Sequence, residues 1–228
     1  MVVVTNSNVK HSLSDSEYPT RVAQCKEAVK LLQTKYPSVK ALRDATMEML
    51  NAVKGGMSSI VYNRAKHCIT EDVRTLSAVE ALAIGDFSKL GKLMTGSHES
   101  LRDDYEVSCV ELDFLMASAL EVDGVYGSRM TGGGFGGCTV TLVEKYAVES
   151  LIKHQTEEYM KKFGRTCDCY TAAPSPGASV IDLKAALLKP AFQIKKKVTK
   201  RSDMLDWVVP IFVITLAIVV AVRLSGKK

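Results

Sequence analysis

The chain has 228 residues, with 30 Lys and Arg against 25 Asp and Glu and 46% hydrophobic side chains, enough to bury a core and too apolar for a disordered or collagen-like chain. Ten basic and two acidic residues from Lys184 onward carry +8, so the first 183 residues carry −3 of the total +5. A weakly acidic body with a basic tail excludes nucleic-acid binding by the folded part, and six scattered cysteines without a paired framework read as reduced thiols.

Met1 leads into a short β-branched run, Val2 to Thr5, which predicts a buried strand, and the Asn6-Ser7-Asn8 cluster stops it. With too short an apolar run and no basic start, this stretch does not read as a secretory leader, and the body is expected in the cytosol. The chain reads as beginning inside a fold, so this first strand is expected to lie open on one side. Ser16 is a candidate N-cap for a helix bearing Val22, Cys25, Ala28, Val29 and Leu32 at three- and four-residue spacing, and Lys35-Tyr36-Pro37-Ser38 ends it. Further helices are predicted over 41–53, 58–83, 87–95 and 111–120. In the second of these Val73, Leu76, Val79, Leu82 and Ala83 form one apolar stripe, expected to face a core.

After Leu120 the pattern changes to strands. Val122 to Met130 runs into Thr131-Gly132-Gly133-Gly134-Phe135-Gly136-Gly137, and Cys138 to Val143 alternates as a strand. A helix over 147–163, a strand over 166–171 and a last strand over 178–183 complete an α+β body of helices packed on a small antiparallel sheet.

Gly132-x-Gly134-x-x-Gly137 matches a dinucleotide fingerprint in form only, because a strand follows where that fingerprint needs a helix N-terminus on the pyrophosphate. Five glycines in six positions permit either close approach to a ligand, with amides gathered as an anion nest, or simply a tight connection between strands.

Ser128-Arg129-Met130-Thr131-Gly132-Gly133-Gly134-Phe135-Gly136-Gly137-Cys138-Thr139-Val140 resembles the third conserved motif of the GHMP small-molecule kinases, in the form galactokinases carry. The stretches 5–13, 16–21 and 100–108 resemble the same family, so the resemblance spans Met1 to Leu183. It implies a GHMP kinase C-terminal-type domain over residues 1–183 and ATP-dependent phosphorylation of the anomeric hydroxyl of galactose, with Mg²⁺ accompanying ATP. Phosphoryl transfer leaves a protein chiefly positioning and charge stabilisation to perform.

Carried over position by position, the resemblance makes Tyr18 a wall of the sugar pocket and puts Gly132, Gly133, Gly134, Gly136 and Gly137 beside the phosphates. Lys10 stands where galactokinases commonly carry arginine. The family's ATP loop and catalytic aspartate have no equivalent in this sequence, so no catalytic residue is assigned and little turnover is expected of the chain alone. A partner supplying the missing half is one expectation. The alternative is a non-catalytic, membrane-anchored interaction or regulatory module derived from a galactokinase.

Asp103 and Asp104 are adjacent on a helix and point apart, which suits a solvated or salt-bridged helix start better than a shared site. His11, His67, His98 and His154 lack metal-ligand spacing, Cys167 and Cys169 share one strand face, and no metal site is assigned.

Beyond residue 183 the composition shifts. Residues 184–205 read as a basic linker, 206–224 as a single transmembrane tail anchor, and 225–228 as a short basic end. Trp207 to Val222 is sixteen residues broken only by Pro210 and Thr215, about 24 Å as a helix, with the heavier basic flank on the body side. A short span with basic ends suggests the endoplasmic reticulum or mitochondrial outer membrane.

Overall fold

A computed structural model of the chain describes residues 1–9 and 17–175. The chain divides into two compact units, Met1–Ala173 and Pro174–Lys228, and the description below is of the first. The expected strand over 178–183 and membrane segment over 206–224 lie outside the described residues. Among those described, no helix is long and apolar enough to cross a membrane. The expected fold class, an α+β domain followed by a membrane helix, is therefore corrected to an α+β domain for the described residues.

Four antiparallel strands form one sheet in the order β2-β3-β1-β4: β1 (Val2–Asn6), β2 (Val125–Thr131), β3 (Cys138–Val143) and β4 (Asp168–Ala172). The expectation that the first strand lies open is wrong. Val4 of β1 faces Val140 of β3 on one side and Tyr170 of β4 on the other, so both of its backbone edges are paired. Alternation then sends Val3 and Thr5 inward, joining Ser128, Met130, Thr139, Thr141 and Val143 on the buried face.

That face is unusually rich in hydroxyls, and most of them find partners. Ser128 and Thr141 share a hydrogen bond of 2.8 Å. Thr5 donates to Gln155 Oε1 at 2.6 Å, and Gln155 Nε2 donates onward to the Leu115 carbonyl at 2.8 Å. One glutamine thus ties the sheet to both α5 (Val110–Leu120) and α6 (Val148–Phe163), the latter ended by Gly164 in the left-handed conformation.

Preceding these are α1 (Glu17–Gln33), a 3-10 turn (Leu42–Asp44), α2 (Met47–Val53), α3 (Ser59–Ala83) and α4 (Phe87–Asp103). Thr46 and Ser58 cap α2 and α3 by accepting from Met49 N–H and Val61 N–H. Ala28, Leu32, Val39, Leu42, Leu50, Val61, Ala65 and Ile69 form the core of this helical layer. Leu32 and Leu50 are fully buried, each worth about 1.5–3 kcal/mol of removed apolar surface.

The predicted stripe on α3 does not enter that core. Val73, Leu76, Val79 and Leu82 are 60%, 37%, 40% and 45% exposed. The core shared with α1 and α2 takes in α3 only as far as Ile69, and beyond it Ala81 alone among the α3 residues is buried.

Helix α4 lies directly against β2, and glycine makes the approach possible. A Cβ on Gly91 would fall 1.9 Å from the Tyr126 carbonyl oxygen, and one on Gly127 would fall 2.0 Å from that of Gly91. Seven residues on, His98 Nδ1 accepts the Met130 N–H at 3.0 Å, so α4 satisfies an outward amide of the strand that ends the sheet.

Candidate functional site

The glycine loop is the hairpin turn between β2 and β3, so the element following it is a strand, and no helix N-terminus opens onto it. Its backbone needs glycine. Gly132, Gly134, Gly136 and Gly137 all have positive φ, and so does Phe135 at 59°. Two contacts pin the loop. Phe135 N–H donates to the Val107 carbonyl at 2.7 Å, and the Gly137 carbonyl accepts from both Ser7 N–H and Ser7 Oγ at 2.8 Å. Phe135 also packs its ring on the Val107, Leu112 and Met130 cluster. Gly132 and Gly133 are left exposed.

Tyr18 lies in the first turn of α1 and is 80% exposed. Its ring does not serve to pack the helix start onto the body and is free to form the wall of a pocket. One turn later Arg21 is buried. Its Nε and Nη2 donate to the carbonyls of Tyr105 and Glu106, each at 2.8 Å, while Nη1 pairs with Glu17 at 3.2 Å.

A second buried guanidinium, Arg64 of α3, donates to the Asp104 carbonyl at 2.5 Å, to Glu106 Oε2 at 2.6 Å and to Gln24 at 3.1 Å. The Arg64 hydrogen bond holds the Glu106 carboxyl below the usual carboxylate range, against the opposing pull of burial. Glu106 itself sits at φ 53°, in the left-handed region.

The structure therefore brings the start of α1 and the glycine loop onto one short segment. Arg21 grips residues 105 and 106 from the Tyr18 side, and the next residue, Val107, takes the loop amide of Phe135. Sequence reasoning missed Arg21 and Arg64. The available signal was Arg64 itself, a cation set between Val61, Ala65 and Ile69 on an otherwise apolar arc.

Asp103 and Asp104 are corrected from a helix start to the end of α4, where Asp104 is the C-terminal cap. They serve different partners: Asp103 pairs with Arg102 at 2.7 Å and Asp104 with Lys66 at 2.9 Å. Lys10 and His11 lie outside the described residues.

His98 accepts from Met130 at Nδ1, which fixes its proton on Nε2, where it donates to Asp113 Oδ1 at 3.0 Å. Burial would raise the Asp113 carboxyl, but hydrogen bonds from His98 and Ser108 outweigh it and leave the group below its ordinary value. His67 is buried, stacked on Tyr105 and bonded to Ser100 at 3.0 Å, while His154 pairs with Glu121 at the surface. Among the described residues no group of three or more His, Cys, Asp or Glu is placed to hold a metal ion.

A family model for the C-terminal domain of GHMP kinases matches residues 78–162, from the end of α3 through α6 and including the glycine loop. Over 182 residues, or 80% of this chain, the sequence is 48% identical to the galactokinase of Homo sapiens, and over 180 residues it is 43% identical to that of Enterococcus faecalis. A solved structure of Lactococcus lactis galactokinase complexed with galactose superposes with a TM-score of 0.70 at 36% identity, covering 74% of this chain and 44% of that one. The chain spans 44% of the length of the human enzyme, so it matches less than half of its relatives. Likeness of this extent, across four-fifths of the chain and over the same fold, shows that it carries a GHMP kinase C-terminal domain of the galactokinase type.

Proposed function

We propose that this domain forms one wall of a galactokinase site, in which ATP phosphorylates the anomeric hydroxyl of galactose. The observation that carries the reading is the 48% identity to a galactokinase across four-fifths of the chain, supported by likeness to a galactokinase structure that contains galactose. The geometry is consistent with it. Tyr18 presents an exposed ring and hydroxyl, able to stack on a sugar face and to hydrogen-bond a sugar hydroxyl. Gly132 and Gly133 present backbone to solvent without side chains in the way, as close approach of a phosphate requires. Arg21 and Arg64 hold the intervening segment and so fix the spacing between the two. They are positioning residues in this reading.

ATP arrives with its Mg²⁺ as the co-substrate complex, and the transferring phosphoryl group needs charge stabilisation that these residues do not supply by themselves. The 228-residue chain alone is therefore expected to show galactose affinity without appreciable turnover, and co-expression with the N-terminal half of a galactokinase is expected to restore turnover. Calorimetric titration with galactose and a coupled ATP assay test both statements. Binding lost in Tyr18→Ala but kept for a sugar-independent ligand such as an antibody supports the assignment. Undiminished galactose binding in that variant overturns the role of Tyr18. Family-like turnover by the chain alone overturns the division of labour.

A further inference from the structure

Cys25 on α1 and Cys68 on α3 face each other across the interface of the two helices, with their sulfurs 3.8 Å apart. Neither is sealed from solvent, and both are free thiols. Cys25 also lines a shallow groove of about 500 Å³ open to solvent, with Val22, Lys26, Lys30, Lys40 and Tyr105. The two thiols are not equivalent. Cys25 has the Tyr105 hydroxyl at 4.0 Å and the field of Arg64 and Arg21, whereas Cys68 stands one turn from Glu71. The negative charge therefore belongs on Cys25. The Cys68 hydrogen bond, aided by Tyr105 and the two arginines, lowers it to about 7 against the opposing effect of burial. Cys68 is raised by the same hydrogen bond and by burial.

We propose that Cys25 and Cys68 are a site of reversible oxidation by hydroperoxides, Cys25 attacking and Cys68 resolving, which closes a disulfide between α1 and α3. The Cys25 thiolate attacks one oxygen of the hydroperoxide, the O–O bond breaks, and the departing alkoxide or hydroxide takes up a proton, leaving sulfenic acid on Cys25. The Cys68 sulfur then attacks the Cys25 sulfur, forming the S–S bond and releasing water with the Cys68 proton. Both cysteines are oxidised by one electron each, and the peroxide is reduced by two. Closure draws the sulfurs from 3.8 Å to about 2.05 Å. The bond would staple to α3 the helix that carries Tyr18 and Arg21. The inference is independent of the galactose assignment.

The test is treatment of the purified chain with one equivalent of hydrogen peroxide, followed by alkylation and peptide mass spectrometry. The expected product is a single cross-linked peptide pair containing Cys25 and Cys68, reversed by dithiothreitol. In Cys68→Ser the reaction should stop at a Cys25 sulfenic acid that dimedone traps. Should that variant fold poorly, iodoacetamide kinetics on the wild-type chain serve instead. Cys25 should react on the order of tenfold faster near pH 7 than Cys109 and Cys138, whose thiols burial pushes up. A cross-link through any other pair, Cys167 with Cys169 included, or Cys25 reacting no faster than Cys109, overturns the proposal.

Discussion

Two glycine-bearing regions flank β2, and they use the residue for opposite reasons. At the contact of α4 with β2, Gly91 and Gly127 have ordinary backbone angles and no room for a side chain, the first facing the Tyr126 carbonyl and the second that of Gly91, both near 2 Å. In the β2–β3 hairpin, Gly132 and Gly137 have open space around the missing Cβ and a φ near 90° that a side chain rarely tolerates. The first kind holds two elements together, and the second shapes one turn. Gly134 combines both demands: its φ is +86°, and a Cβ there would meet the Val107 carbonyl at 2.1 Å.

This contrast orders the expected effects of substitution. Gly91→Ala or Gly127→Ala should be the most damaging, since backbone cannot yield as a side chain does. A loss of about 3 kcal/mol or more is expected, read as lowered thermal stability or insolubility.

Acid should act through α3. Burial, outweighing the attraction of Glu71, lowers His67 to about 4 from its ordinary 6.5, so the neutral ring is the folded form. A depressed histidine contributes stability that is full above pH 6.5 and is lost as pH falls toward 4. The loss is about 3 kcal/mol, and denaturant melts of His67→Gln should lack it.

Gly134→Ala should cost about 2 kcal/mol, because a shift that relieves the clash breaks the Phe135 N–H bond to Val107 but leaves the packing of α4 on β2 in place. Gly132→Ala, strained but uncrowded, should cost about 1 kcal/mol, with the larger effect on ligand affinity rather than on melting. Gly55→Ala serves as the control. Nothing lies within 4 Å of its Cβ position and its φ is not positive, so a change between zero and a gain of about 1 kcal/mol is expected. Equal losses at Gly91 and Gly132 would remove the distinction between room and conformation.

The sequence made the hairpin and its flanking strands legible because β-branched alternation and a glycine cluster are local signals. Strand Cys138–Val143 stands where it was expected, and α3 lies within one residue of the range expected for it. Helix α4 was read eight residues short. Gly96, Ser97, His98 and Ser100 look like a polar ending, yet Ser97, His98 and Ser100 are buried and bonded to Glu71, to Met130 with Asp113, and to His67. Those partners lie on other elements, beyond the reach of a periodicity argument. The stripe through Val73 shows the converse limit, since spacing identifies an apolar arc but not where its covering helices end. At the candidate site the glycines and Tyr18 were visible as a family motif. The Arg21 and Arg64 clamp on residues 104–106 was not, because it joins three separate segments through backbone carbonyls.

The position of β1 between β3 and β4 has a consequence for how the protein is made. Its five residues leave the ribosome before the rest of the sheet, yet the partners of Asn6 are Cys138 and Asp168. More than a hundred residues must follow before either rim of this strand can zip up, and the sheet closes only when the segment beyond α6 has emerged. Early helices α1 to α3 can consolidate meanwhile from contacts near in sequence, so the nascent domain carries a finished helical layer and a waiting β-branched ribbon. Chaperone dependence during translation should therefore track the interval between Asn6 and Asp168, and a circular permutant that begins at β3 would shorten it.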